Sequence, residues 1–312
     1  METVGREGSA HPSSVPSPIA RTEQLRVGVV GTGPWAALFH APMFAGHPAT
    51  RLAAVWGRRR DAAAEIAARH GAEAHDDFDR FLAGVDAVSF AVPPDVQADL
   101  AVTAARAGKA LLLEKPLALD PGAAESLVHA VDEAGVPTQL LLTWRYAGPV
   151  RAMLAAAARA RPIGGRGHFL TGGLLGGVFA TPWRLEHGPL FDLGPHVIDL
   201  LDAALGPVVG IRAHGDGRGW VGLLLEHSSG AVSEASLTGC SGVPSPRAGI
   251  EVHTREGVLE VDTTSLSASV TTTVVDEFTD VVRSGRSHVL DVHRGLHLQH
   301  LLTSAASDLR WG

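Results

Sequence analysis

From Leu25 to Leu142, short apolar runs alternate with longer stretches in which apolar residues recur three and four positions apart. The runs 26–30, 51–56, 86–91, 110–114 and 138–142 read as strands. Between them, 61–70, 96–107 and 121–134 are rich in alanine, leucine and glutamate and carry the helical period. Strand and helix in alternation predict a doubly wound parallel sheet. After about Tyr146 the pattern changes. Helix signals mix with β-like runs at 167–171, 208–214, 219–226, 231–237, 249–254 and 257–262, several in succession without a helix between them. These predict an antiparallel or mixed sheet with a polar, glycine-containing hairpin between Glu226 and Ala231. The expected fold class is α/β. It has a doubly wound parallel sheet in residues 25–145 and a second α/β domain with an open, largely antiparallel sheet in 146–312. Residues 1–24, with three prolines among serines and no periodicity, are expected to form a flexible tail.

Composition narrows the partners. A net charge of −7 leaves no basic surplus for nucleic acid or anionic lipid, and no apolar stretch approaches the about 18 residues of a membrane span. A cytoplasmic protein acting on a small molecule is expected, without nucleic-acid or membrane partners. The single cysteine, Cys240, excludes an intrachain disulfide and a cysteine-rich zinc site.

The first strand runs directly into Gly31-Thr32-Gly33-Pro34-Trp35-Ala36, a dinucleotide fingerprint with alanine at its third small position. The first glycine permits the tight turn, the second admits the pyrophosphate to the backbone, and the third small residue keeps helix and strand close. The second strand ends Trp56-Gly57-Arg58-Arg59-Arg60, where an NAD-preferring protein would place an acid to grip the ribose hydroxyls. No acid is there. Arg58 suits a 2′-phosphate and can stack on adenine, so NADP is the preferred cofactor over NAD; the bland reading of the arginines is a solvated start of the next helix.

Only two of the 26 basic residues are lysines. One of them, Lys115, sits in Glu114-Lys115-Pro116 at the end of a buried-strand run. Arginine stays protonated in proteins, so a lysine retained in an arginine-rich chain points to proton transfer; coding bias is the alternative. Ligands in an open α/β sheet lie outside the carboxyl ends of the strands, where Lys115 falls. Asp192 and His196 are four apart and would share a helix face. The Gly194-Pro195 step between them suggests that the helix starts near Gly194, with Asp192 ahead of it.

The glycine turn, His40-Ala41-Pro42, Val92-Pro93-Pro94-Asp95, Ala107-Gly108-Lys109, Glu114-Lys115-Pro116-Leu117-Ala118 and Asp192-Leu193-Gly194-Pro195-His196, in this order, resemble the glucose-fructose oxidoreductase, inositol dehydrogenase and MocA family. The resemblance runs from about Arg26 to the C-terminal helix. It implies an N-terminal Rossmann domain, a C-terminal α/β domain with an open sheet, and NAD(P)-dependent hydride transfer at a CH–OH or C=O carbon of a sugar, cyclitol or related polyol. It further implies Lys115 as acid/base with Asp192 and His196 as partners, and a cofactor contacted by Gly31, Thr32, Gly33, Pro34, Trp35, Arg58, Pro93, Glu114 and Lys115. A cis Lys115–Pro116 peptide, Trp183 and Arg184 lining the substrate cleft, and a homodimer or homotetramer through the uncovered sheet face are also implied. The chain departs from the family pattern at Gln97, where many members carry histidine, and at Thr143-Trp144 before Arg145, where an asparagine-arginine pair is usual. Both departures bear on substrate identity.

Rival constellations lack their parts. The only tyrosine, Tyr146, has Val150 rather than lysine four residues on, and no P-loop, serine elbow or His-Glu-x-x-His helix is present. His293, His297 and His300 share a helical face, which an amphipathic terminal helix explains better than a metal; no metal is expected. A non-catalytic NAD(P)-binding regulator on the same scaffold is the alternative to an enzyme.

Overall fold

The computed structural model describes residues 23–264 and 269–311. The expected tail lies outside the described residues except for Glu23 and Gln24. The first half forms six parallel strands, β1 (Leu25–Val30), β2 (Thr50–Trp56), β3 (Glu73–His75), β4 (Ala87–Phe90), β5 (Ala110–Leu113) and β6 (Thr138–Leu140), in the order β3-β2-β1-β4-β5-β6. Helices cover both faces, so β4 and β5 are buried at every position, which is why they read as unbroken apolar runs. Caps set the helix ends. Asp120 accepts a hydrogen bond from the Ala123 N–H at the start of Pro121–Ala134, and Gly135 ends that helix at φ 62°. The strand order reverses between β1 and β4, and the crevice outside their carboxyl ends is where such a sheet takes its ligand. The short β3 and the helix Phe78–Ala83 carry too brief a pattern to stand out in the sequence.

The second sheet comprises β7 (Pro162–Leu170), β8 (Val208–Gly215), β9 (Trp220–His227), β10 (Val232–Thr238), β11 (Arg247–Thr254) and β12 (Val258–Asp262), ordered β12-β11-β7-β10-β9-β8. Among the described residues, only β7 and β10 of this sheet's strands pair in parallel. The β9–β10 hairpin turns at Gly230 (φ 84°), as its polar-glycine signal requires. Helix Gly194–Leu205 lies on one face of this sheet, buried at nearly every position. β7 starts five residues earlier than expected, and the helix's approach explains a glycine there: a Cβ at Gly165 would stand 3.1 Å from Leu205 Cδ1, so a glycine that reads as a strand breaker is favoured by packing. The opposite face exposes Arg166, Arg212, Leu224 and Glu234.

The C-terminal helices return to the first half. Phe278, in Ser269–Ser284, packs on Phe44 with ring centroids 6.0 Å apart, and the Leu140 N–H donates to Leu290 O at 2.7 Å. In Val292–Ala306, a Cβ at Gly295 would stand 2.6 Å from Leu117 Cγ, so this helix presses on the loop that follows Lys115. The second half thereby helps to fix the position of the first half's strand-end loop.

Candidate active site

The glycine turn is built as its fingerprint requires. Gly31 sits at φ 128°, and a Cβ there would collide with the Ala91 carbonyl oxygen at 2.3 Å. A Cβ at Gly33 would meet nothing within 4 Å, which leaves backbone open to a phosphate. Ala37 N–H to Gly33 O, at 3.1 Å, starts the helical run 34–45, whose middle, Ala36–His40, is a π turn. A cleft of about 570 Å³ follows this turn and is lined by Gly31, Thr32, Gly33, Pro34, Trp35, Gly57, Arg58, Pro93, Glu114 and Lys115. The open cradle at Gly33 and the cleft beyond it fit a dinucleotide, and Arg58 lines that cleft just after β2.

A second cavity of about 350 Å³ adjoins the cleft and shares Trp35, Glu114, Lys115, Phe179 and Arg184 with it. Lys115 stands at this junction. Its ammonium donates to the Asp192 backbone oxygen at 2.5 Å and to Asp192 Oδ1 at 3.2 Å. Arg184 Nε donates to the same Oδ1 at 3.0 Å. Burial opposes ionisation of Asp192, but the two cations beside it outweigh that cost and hold its carboxyl below the usual carboxylate range. Helix Gly194–Leu205 starts immediately after Leu193, with Pro195 harmless in its first turn, so Asp192 precedes the helix and His196 lies within it. Both line the cavity. Burial, and then repulsion from Lys115, pushes the imidazole well below its ordinary pKa, so His196 is neutral; its Nδ1 is buried without a hydrogen-bond partner.

Glu114 holds the strand-end loop together. Its Oε1 accepts from Trp35 Nε1 at 2.6 Å and from His40 Nε2 at 3.1 Å, and its Oε2 from the Lys115 N–H at 3.1 Å. His40 is fully buried, with Nδ1 2.8 Å from Ser89 Oγ. Gln97, also fully buried, accepts from the Glu114 N–H at 2.8 Å and donates to the Glu114, Pro116 and Leu117 carbonyls at 2.9, 3.3 and 3.1 Å. The Lys115–Pro116 peptide is cis. The Gln97 departure thus concerns the backbone that carries Lys115 and lies outside both cavities, contrary to its expected bearing on substrate identity.

Other expected residues fall elsewhere. Arg145 lines neither cavity, because its Nη1 is held 3.0 Å from both carboxylate oxygens of the buried Asp199. Asp199 also accepts from Arg294, which reaches Asp202, itself bonded to His297. Trp183 lines the dinucleotide cleft and stacks under Arg184, whose Cζ is 4.7 Å from its ring, instead of facing the smaller cavity. The three histidines of the terminal helix each face a different carboxylate: His293 faces Asp132, His297 faces Asp202 and His300 faces Glu125. The sequence reading missed Phe169, Leu174 and Phe179, which wall the smaller cavity. They come from β7 and the loop after it, whose direction no local pattern reveals.

Residues 25–141 match the model of the oxidoreductase family with an NAD-binding Rossmann fold. The chain is 37% identical over 109 residues to UDP-N-acetylglucosamine 3-dehydrogenase of Acidithiobacillus ferrooxidans, covering 35% of this chain and 34% of that protein. It is 36% identical over 110 residues to inositol 2-dehydrogenase of Rhizobium meliloti, covering 35% and 33%. Over 201 residues it is 28% identical to an uncharacterised protein of Saccharomyces cerevisiae, covering 61% and 58%. Each alignment therefore spans less than two thirds of the relative. The crystal structure of GenD2 from gentamicin A biosynthesis, in complex with NAD, superposes with a TM-score of 0.82 at 24% identity, covering 94% of this chain and 96% of that one. At that identity the likeness establishes the fold alone.

Proposed function

We propose, from the match of residues 25–141 to the model of the oxidoreductase family with an NAD-binding Rossmann fold, that the chain catalyses reversible NAD(P)-dependent oxidation of a CH–OH carbon of a sugar, cyclitol or related polyol, with Lys115 as acid/base. The carrying observation is Lys115, pinned by Asp192 where the dinucleotide cleft opens into the smaller cavity. The nicotinamide, when bound, supplies or accepts the hydride. The chain's own residues handle the proton and the geometry. Two of the three ammonium hydrogens of Lys115 are directed to Asp192, leaving one for a substrate oxygen. In the reduction direction that hydrogen passes to the carbonyl oxygen and Lys115 is left as the neutral amine; in oxidation the amine takes the hydroxyl proton. Such transfer contributes about 10²–10⁴-fold. Neutral His196 can donate or accept one hydrogen bond and orients the same oxygen, while Asp192 fixes the amine.

Arg58, at the place of the missing acid, favours NADP over NAD. The exposed face of the second sheet supports a homodimer or homotetramer. Absorbance at the nicotinamide band tests the activity directly. Substrate-dependent gain of absorbance with NADP+ and polyols or inositols, or loss of it with NADPH and keto-sugars, supports it. Tight NADPH binding without turnover on any of them would favour a non-catalytic regulator.

A further inference from the structure

The smaller cavity differs sharply from one end to the other. At the Lys115 end lie all the charged side chains that line it among the described residues, namely Glu114, Lys115, Arg184 and Asp192, and they engage one another or the surrounding protein. Arg184, the one guanidinium present, gives Nε to Asp192 and Nη1 to Thr181 Oγ1 at 3.3 Å, and its plane lies near the Trp183 and Phe179 rings. Away from that end the wall is Trp144, Phe169 and Leu174, with hydroxyls only from threonines such as Thr171 and Thr263. Trp144 is 7% exposed and packs between two partners, Phe169 at 5.0 Å and the His196 ring at 4.9 Å, each tilted by 34°. The aromatic wall therefore continues directly into the neutral imidazole. A phosphate, carboxylate or nucleotidyl group beyond the reacting carbon would leave water without a cation to receive it, at a cost that hydroxyl contacts do not recover. About 350 Å³ also lies near the lower end of ligand pockets, which run from about 300 to 1,000 Å³.

Building on the hydride-transfer reading above, we propose that the substrate is a compact, uncharged ring alcohol or ketone with one face free of hydroxyl groups, a deoxygenated sugar or cyclitol in chemical class, and that Trp144 and Phe169 select it by contact with that C–H face. Trp144 is then a specificity residue.

The test uses matched compounds on the full chain: a 6-deoxyhexose, the parent hexose, its 6-phosphate and its uronate. Binding to the NADP-saturated protein is followed by calorimetry and turnover by nicotinamide absorbance. The expected order is deoxyhexose, then hexose, with both charged compounds at least 100-fold weaker. Trp144→Leu should raise KM for the deoxyhexose about 10-fold or more, lower its advantage over the hexose, and leave NADPH affinity unchanged; Trp144→Phe should restore most of the preference. Equal or tighter binding of the phosphate or uronate, or no binding by any of the four, overturns the proposal. Binding in the expected order without turnover supports the substrate class while counting against hydride transfer, so the two failures are distinguishable.

Discussion

Lys115 is anchored to Asp192 through the backbone as well as the side chain, since its ammonium lies 2.5 Å from the Asp192 carbonyl oxygen and 3.2 Å from Oδ1. The carbonyl belongs to the last residue of helix Pro182–Asp192, two residues before Gly194–Leu205 begins, so the amine's position is set by the junction of two helices. The carboxylate has a further task, because it also neutralises Arg184.

The division of labour predicts a graded response. Asp192→Asn keeps the backbone anchor but removes the charge shared by Lys115 and Arg184. Loss of one charge-assisted hydrogen bond is worth about 1.5–3 kcal/mol, so kcat/KM should fall roughly 10- to 100-fold while the protein remains folded. Steady-state kinetics beside a thermal melt check this; an unchanged kcat/KM would contradict it.

Gln97 makes four hydrogen bonds to the backbone of Glu114, Pro116 and Leu117 from a fully buried position. Gln97→Ala leaves the Glu114 N–H and three carbonyls with one partner fewer, at about 1–3 kcal/mol for each buried group left unsatisfied. The denaturation midpoint should drop and kcat should fall with it, since the loop carries Lys115. A variant of wild-type stability would refute the clamp.

Arg58 lines the cleft at the end of β2, where Gly57 is held against Thr32 with no room for a side chain. Arg58→Ala should weaken NADPH binding at least 10-fold, the value of about 1.4 kcal/mol or more for a charge-assisted contact, and leave NADH nearly unchanged. Calorimetric titration with each nucleotide separates the outcomes. Equal losses for both would remove the 2′-phosphate from the account.

Acid should destabilise the fold in two steps. His196 is lowered well below 6.5 by burial and then by Lys115, and burial is also the main cause of the lowering of His168 and His288. The unfolded chain takes up these protons near 6.5 while the folded one resists, so stability falls as pH drops below that value. Asp202 behaves differently. Burial works against its ionisation, but His297, Arg294 and the Val208 N–H bring it down to about 2 from 3.8, so its contribution, about 2 kcal/mol, is complete above 3.8 and is lost as pH falls through 2. Urea midpoints should decline between pH 7 and 5 and again below 4. His196→Gln should shrink only the first decline.

What was legible in the sequence was local. Alternation of period gave the parallel sheet, the glycine turn followed from its place after β1, and Gly194-Pro195 located a helix start that leaves Asp192 outside. Long-range pairing was not legible. Arg145 and Asp199 are 54 residues apart, and nothing near either one distinguishes a buried ion pair from a substrate contact. Gln97 reads as a polar helix residue until β5 is placed beside it. The Phe169 wall depends on the path of β7, whose first half is masked by glycines such as Gly165, which makes room for a helix from elsewhere in the chain.

The most direct test of the account is a comparison of Lys115→Arg with the wild type by stopped-flow absorbance at the nicotinamide band, with NADPH affinity measured on the same samples. Arginine preserves the charge beside Asp192 but cannot yield its proton. The account predicts unchanged NADPH binding and a fall in hydride-transfer rate of about 10²–10⁴-fold. A Lys115→Arg variant that transfers hydride at the wild-type rate would contradict it.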